Sequence, residues 1–198
     1  MNFTELQFDC VEEVKTDEEI WRDFVHDLQK NLMRMGLPPL KGKERLNRPT
    51  NGGWGYVSEP KPCFMVTHRN EHNSDPVVMY RTDSRESMMF HILDHKARDY
   101  GFDFEFEHHA RLEKAWDYHC AYDFRKIWFE LEIQCMSKVF SLTQLQKLID
   151  QRTGLMNYWF EEPHWKFSSY TMTFTEINSS RVFEKENPDL SHEEMFVL

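Results

Sequence analysis

The stretch from Thr16 to Pro39 constrains this chain most, because it specifies a helix along its face and at both ends. Thr16 and Glu19 stand three apart as a capping box, each side chain placed to satisfy a backbone amide of the first turn. Ile20, Trp21, Phe24, Val25, Leu28, Leu32 and Met35 then recur at the three- and four-residue intervals of one helix face. Gly36 suits the left-handed residue that closes a helix, and Pro38-Pro39 forbids continuation. The pattern predicts an amphipathic helix over 17–35 with an acidic outer face, preceded by a short lead-in over 1–15.

Elements of a different period follow. The segment 37–53 is basic and turn-rich, with Lys41, Lys43, Arg45 and Arg48, and reads as a loop. Strands are expected over 55–59, 63–69 and 77–82, with a polar turn over 70–76. Three strands without a helix between them favour an antiparallel meander, since parallel pairs need long crossovers. Asp83 and Glu86 then read as a capping box for a helix carrying Met88, Met89, Ile92, Leu93, Ala97, Tyr100 and Phe104 on one side. Residues 102–107 alternate as a strand would and follow Gly101, yet Phe104 continues the helical stripe. A helix is expected through 102–107. A further helix is expected over 118–139, with Ala121, Phe124, Trp128, Leu131, Cys135 and Val139 inward. Ser141 caps a last one, with Leu142, Leu145, Leu148 and Ile149 buried and Gly154 closing it. A strand slipping phase near Ser168-Ser169 is expected over 164–177, and a loose acidic tail over 184–198. The expected fold is α+β over 1–198 as a single domain. It comprises an N-terminal helix, a small antiparallel sheet of three or four strands, three helices and a C-terminal strand.

With 198 residues the chain can bury a substantial core without metals or disulfides. Its 24 Lys and Arg against 34 Asp and Glu give a net charge of −10, which repels nucleic acid and favours either solubility or capture of a basic protein. The four cysteines form no CxxC pair, and no apolar run approaches the roughly 20 residues that span a bilayer. The start has neither a basic nor an apolar signal-peptide region. A cytoplasmic protein with reduced thiols and no membrane partner is expected.

Ten histidines raise the question of a metal. His91 and His95 are four apart on a helix, as are His68 and His72 across a strand end, and His108-His109 adds a third group. The helix lacks the glutamate of the zincin motif, and a catalytic zinc wants three ligands, for which the sequence offers no third. These histidines read as structural or surface groups. No nucleophile elbow, phosphate loop or dinucleotide fingerprint occurs, so neither a catalytic set nor a cofactor is expected. The helix motif Asp123-x-Arg125-x-x-x-Phe129 reads as structural. Its charges are two apart and do not face each other on one helix, so each is expected to pair with a neighbouring element while Phe124 and Trp128 enter the core.

Several segments together resemble the Imm63-type immunity proteins of bacterial polymorphic-toxin systems. These are Met35-Gly36-Leu37-Pro38, strands at Tyr56 and Phe64-Met65-Val66, Asp83-Ser84-Arg85-Glu86, the 102–109 stretch, and Asp123-Phe124-Arg125-Lys126-Ile127-Trp128-Phe129. The similarity covers about residues 32–148. It implies a cytoplasmic inhibitor, not an enzyme, that binds and neutralises a cognate protein toxin. Such binding needs aromatic anchors within a polar rim. Candidates are the aromatics near turns, Trp54, Tyr56 and Tyr158, and the acidic residues Asp99, Asp103, Glu105 and Glu107, which would draw a basic toxin. The alternatives are a metal-dependent hydrolase using a histidine group and a non-catalytic adaptor domain.

Overall fold

The computed structural model describes residues 15–49, 51–69, 76–116, 123–158 and 164–177. The fold is α+β, with four α-helices, a three-stranded antiparallel sheet and a two-stranded one among the described residues. The described residues divide into two compact units, one from 15–29 and 40–88, the other from 30–39 and 89–177.

In the first unit, α1 (Asp17–Met35) begins as its sequence dictates. Glu19 accepts from the Thr16 amide and hydroxyl at 2.9 and 3.0 Å, and the Thr16 hydroxyl accepts from the Glu19 amide at 3.3 Å. Its inner side carries Trp21, Phe24, Val25 and Leu28, all buried. Trp21 stacks on Phe24 at 5.1 Å and Phe24 meets Phe64 at 5.0 Å, while the Trp21 indole donates to the Arg45 carbonyl at 3.1 Å. Removing one such side chain from water stabilises the unit by about 1.5–3 kcal/mol.

The sheet is the predicted meander. Strand β1 (Gly53–Val57) pairs antiparallel with β2 (Cys63–His68), which pairs with β3 (Val77–Thr82) across a register shift at Val66/Thr67. β1 begins two residues earlier than its sequence suggests, and the predicted turn over 70–76 lies almost wholly outside the described residues. The outer side of β1 is held by the segment before it. The Asn47 amide donates to the Tyr56 carbonyl at 3.1 Å and its oxygen accepts from the Tyr56 amide at 2.7 Å, while the Arg48 amide donates to the Trp54 carbonyl at 3.0 Å. Gly55 is obligatory in this arrangement, because a Cβ there would fall inside Asn47 Oδ1 and the Pro49 ring.

In the second unit, α1 closes in a Schellman turn. The Leu37 amide reaches the Leu32 carbonyl at 2.9 Å, the Gly36 amide reaches Met33 at 3.0 Å, and Gly36 has φ of 78°. Helix α2 (Arg85–Ala115) is capped by Ser84 and not by Asp83, since the Ser84 hydroxyl accepts from the Ser87 amide at 3.1 Å. It runs unbroken through 102–107. Gly101 does not end it: a Cβ there would lie 2.9 Å from the Trp128 carbonyl oxygen, so the bare glycine lets the α3 backbone pass close by. Phe104 and Leu112 on α2 pack with Ile127 and Leu131 of α3 (Phe124–Ser137). The predicted start of α3 at 118–122 lies outside the described residues.

Helix α4 (Leu142–Tyr158) opens with the Ser141–Gln144 box, its bonds measuring 2.9–3.4 Å. Leu145, Leu148 and Ile149 are buried as expected. Leu142 is exposed, and the helix continues past Gly154 to Tyr158. The single strand expected over 164–177 is a hairpin of β4 (His164–Ser168) and β5 (Thr173–Ile177), and the phase slip at Ser168-Ser169 is its turn. Asn157 holds β4 as Asn47 holds β1, through Trp165 N and O at 2.7 and 2.9 Å.

Candidate functional site

The interior of the second unit is polar where α3 crosses it. Nine of its fourteen residues are buried, and three of those are charged: Lys126, Glu130 and Glu132. Lys126 and Glu130 form an i,i+4 pair at 2.6 Å with side chains 1% and 0% exposed. Glu130 Oε1 also accepts from the Phe174 amide at 2.6 Å, while Oε2 is buried and meets no donor among the described residues. Burial pushes the Glu130 carboxyl above its ordinary range, against the pull of Lys126 and the Phe174 amide. Two residues on, Arg152 of α4 grips Glu132 with both arms at 2.5 and 2.7 Å, reaches Asp94 at 3.4 Å, and lies 5.2 Å over the Phe129 ring. Burial raises the Glu132 carboxyl to about 7, with Arg152 opposing the rise and Asp94 adding to it.

His91 and His95 stand on the same stretch of α2, their rings 4.6 Å apart and both pushed below the ordinary histidine range by burial. His95 Nδ1 is engaged by Arg98 at 2.7 Å. Arg152 already supplies positive charge to Glu132 and Asp94. Among the described residues no group of three or more His, Cys, Asp or Glu side chains is gathered as a metal ion requires.

The outward face of α2 is of another kind. Asp99, Phe102, Asp103, Phe106 and Glu107 recur at spacings of three and four, so they share one side of the helix, and all are exposed. Phe102 is 48% and Phe106 74% exposed, their rings nearly parallel (11°) with centroids 6.3 Å apart. Phe102 lies 5.2 Å from Trp128 of α3, which lies 4.6 Å from the exposed Phe124. The result is an aromatic ridge bordered by a row of carboxylates. Among the described residues no ion pair engages Asp99, Asp103 or Glu107.

The sequence-derived candidates distribute unevenly over this surface. Asp99, Asp103 and Glu107 belong to the ridge. Glu105 does not, because the helix turns it inward, where it is 6% exposed and meets His109 Nδ1 at 2.5 Å. Tyr158 is exposed at the end of α4. Trp54 and Tyr56 are half-buried on β1 of the first unit, with Tyr56 packed edge-on to Phe64 at 5.0 Å. The expectation for Asp123 and Arg125 is overturned. Asp123 is the N-cap of α3 and not a helical residue, so its carboxylate accepts from the Arg125 amide at 3.1 Å and from the guanidinium at 2.9 and 2.7 Å. Arg125 also donates to the Leu155 carbonyl at 3.2 Å, a neighbouring element as expected. Phe129 is buried beneath Arg152, whereas Phe124 is exposed and Trp128 only half-buried, so neither fills the core. Phe102, Phe106 and Phe124 escaped the sequence reading. Once 102–107 is placed on a helix, their four-residue spacing from each other or from Trp128 is the signal that finds them.

No family model matches this chain, and no curated protein or solved structure is significantly similar to it. Among the described residues no helix is long and apolar enough to cross a membrane.

Proposed function

We propose that this chain is a cytoplasmic inhibitor that binds and neutralises a protein toxin, using the aromatic ridge of α2 and α3 as its contact surface. The observation that carries the proposal is the exposed, stacked Phe102–Phe106 pair beside three carboxylates that enter no ion pair among the described residues. Large aromatics held outward cost solvation in the free protein and serve as anchors when a partner covers them. The carboxylate border suits a basic partner, whose approach it accelerates. A rigid helix presents both rows without an ordering step on binding, which favours tight capture.

Co-expression with the toxin domain encoded beside this chain tests the reading. Growth is rescued by the wild-type chain and lost with the double variant Phe102→Ala/Phe106→Ala, which stays folded with a modestly lower melting temperature, since Phe106 faces solvent and Phe102 gives up only its packing on Trp128. A wild-type chain that neither rescues growth nor co-purifies with that domain overturns it.

A further inference from the structure

We infer that the outward face of α2 imitates a short single strand of nucleic acid and seats in the strand-binding groove of a nucleic-acid-acting partner. The inference rests on the inhibitory reading above and names the kind of partner site it blocks.

Two parallel rows carry it. Asp99, Asp103 and Glu107 succeed one another at four-residue steps, about 6 Å along the helix axis, comparable with successive phosphates of an extended strand. Beside them Phe102 and Phe106 take the same step, with ring planes 11° apart and centroids at 6.3 Å. The pattern is that of planar rings flanking a line of regularly spaced negative charges. Grooves that hold single strands without sequence preference combine aromatic platforms with a track of lysine and arginine. Both kinds of group find a counterpart on α2. A merely solvated helix face would carry the acids and not the two phenylalanines, of which Phe106 is 74% exposed. A generic apolar docking face would carry the rings without a regular acidic row.

The ridge is also braced. Trp128 stands 5.2 Å from Phe102 and 4.6 Å from Phe124, so Phe102 is supported from α3. Gly101, next to it, keeps α2 against the Trp128 backbone. The face is therefore set before any partner arrives.

The test uses the full chain and the toxin domain encoded beside it, with binding followed by calorimetry. Saturating the toxin with a single-stranded oligonucleotide of about twelve nucleotides is expected to compete with the inhibitor. Replacing the row by Asp99→Asn/Asp103→Asn/Glu107→Gln is expected to weaken binding at least tenfold and to flatten its salt dependence, on the order of one charge contact or more lost. Phe102→Ala and Phe106→Ala each weaken it roughly tenfold, the worth of one stacked base. A control that removes equal charge elsewhere, Glu18→Gln/Asp83→Asn/Glu86→Gln, stays within about threefold of wild type. Simultaneous binding of oligonucleotide and inhibitor overturns the mimicry and leaves the inhibitory reading standing. An equal loss in the control does the same, since net charge would then be the cause. A wild-type dimer in sedimentation that dissociates on Phe102→Ala/Phe106→Ala also overturns it, because a second copy would then be the occupant. A wild-type chain that does not bind the toxin overturns both readings.

Discussion

The two buried ion pairs on α3 sit two residues apart and meet opposite standards. Arg152 and Glu132 are joined by two bonds, with Asp94 beside them and the Phe129 ring beneath the guanidinium. Lys126 and Glu130 share one contact, and among the described residues one carboxylate oxygen of Glu130 meets no hydrogen-bond donor. Guanidinium and carboxylate match in plane and spacing, whereas an ammonium satisfies a carboxylate only as a point charge. Burial of either pair is expensive, so the better geometry should make the Arg152 pair the more costly to replace whole.

The largest expected effect comes from breaking the poorer pair on one side. Glu130→Leu strands a buried ammonium and the Phe174 amide and should cost about 3–5 kcal/mol. Thermal unfolding would then shift downward on the order of 10 °C. A change of under 1 kcal/mol would mean that Lys126 escapes to solvent or loses its proton freely.

Next in size is a pH dependence carried by Glu132. Its carboxyl lies at about 7 in the folded chain against an ordinary 4.5. The unfolded state therefore releases its proton first as pH rises. The associated stability is full below the unfolded value and is lost as pH climbs through the folded one. Between about pH 5 and about pH 8 this amounts to roughly 2–3 kcal/mol, at about 1.36 kcal/mol per pKa unit. Urea unfolding at several pH values should show that decline in the wild type and a flatter profile in Glu132→Gln, whose amide oxygen still accepts from Arg152. A slope unchanged by the substitution would place the titration elsewhere.

The smallest effect, and the sharpest comparison, is replacement of each pair by apolar residues. Lys126→Met/Glu130→Leu removes the ion pair whole but leaves the Phe174 amide without its acceptor, so it should stay within about 1–2 kcal/mol of wild type. Arg152→Met/Glu132→Leu leaves Asp94 without its cation and should be the less stable of the two. Chemical denaturation of both double variants decides the order, and the reverse order would mean that bidentate geometry is not what separates them.

Local chemistry made part of this molecule legible in its sequence. The caps at Thr16, Gly36 and Ser141 use groups within a few residues of the helix end, so α1 and the start of α4 follow from the sequence alone. The meander follows because three strands without crossovers have few ways to pair. What stayed hidden depends on distant neighbours. An i,i+4 Lys126–Glu130 pair looks the same in sequence whether it faces water or a core, and only the layers around α3 bury it. Asp123 became a cap because α3 begins at Phe124, a boundary that Asp-x-Arg spacing does not reveal. Gly101 reads as a stop when seen alone and proves to be a clearance for the Trp128 backbone. The ridge was half visible: its acids stood out as charges, while Phe124 passed for core and Phe102 and Phe106 carried no assigned role.

The Asn47 clamp on β1 has a consequence for life in a crowded solution. Strand edges with vacant amides and carbonyls template the addition of foreign strands and so start fibres. Here the side chain of Asn47 occupies both backbone groups of Tyr56, and the Arg48 amide takes the Trp54 carbonyl. Tyr56 therefore offers a foreign strand neither donor nor acceptor, and the Trp54 carbonyl is taken as well, which blunts this edge against templated addition while Asn47 stays in place.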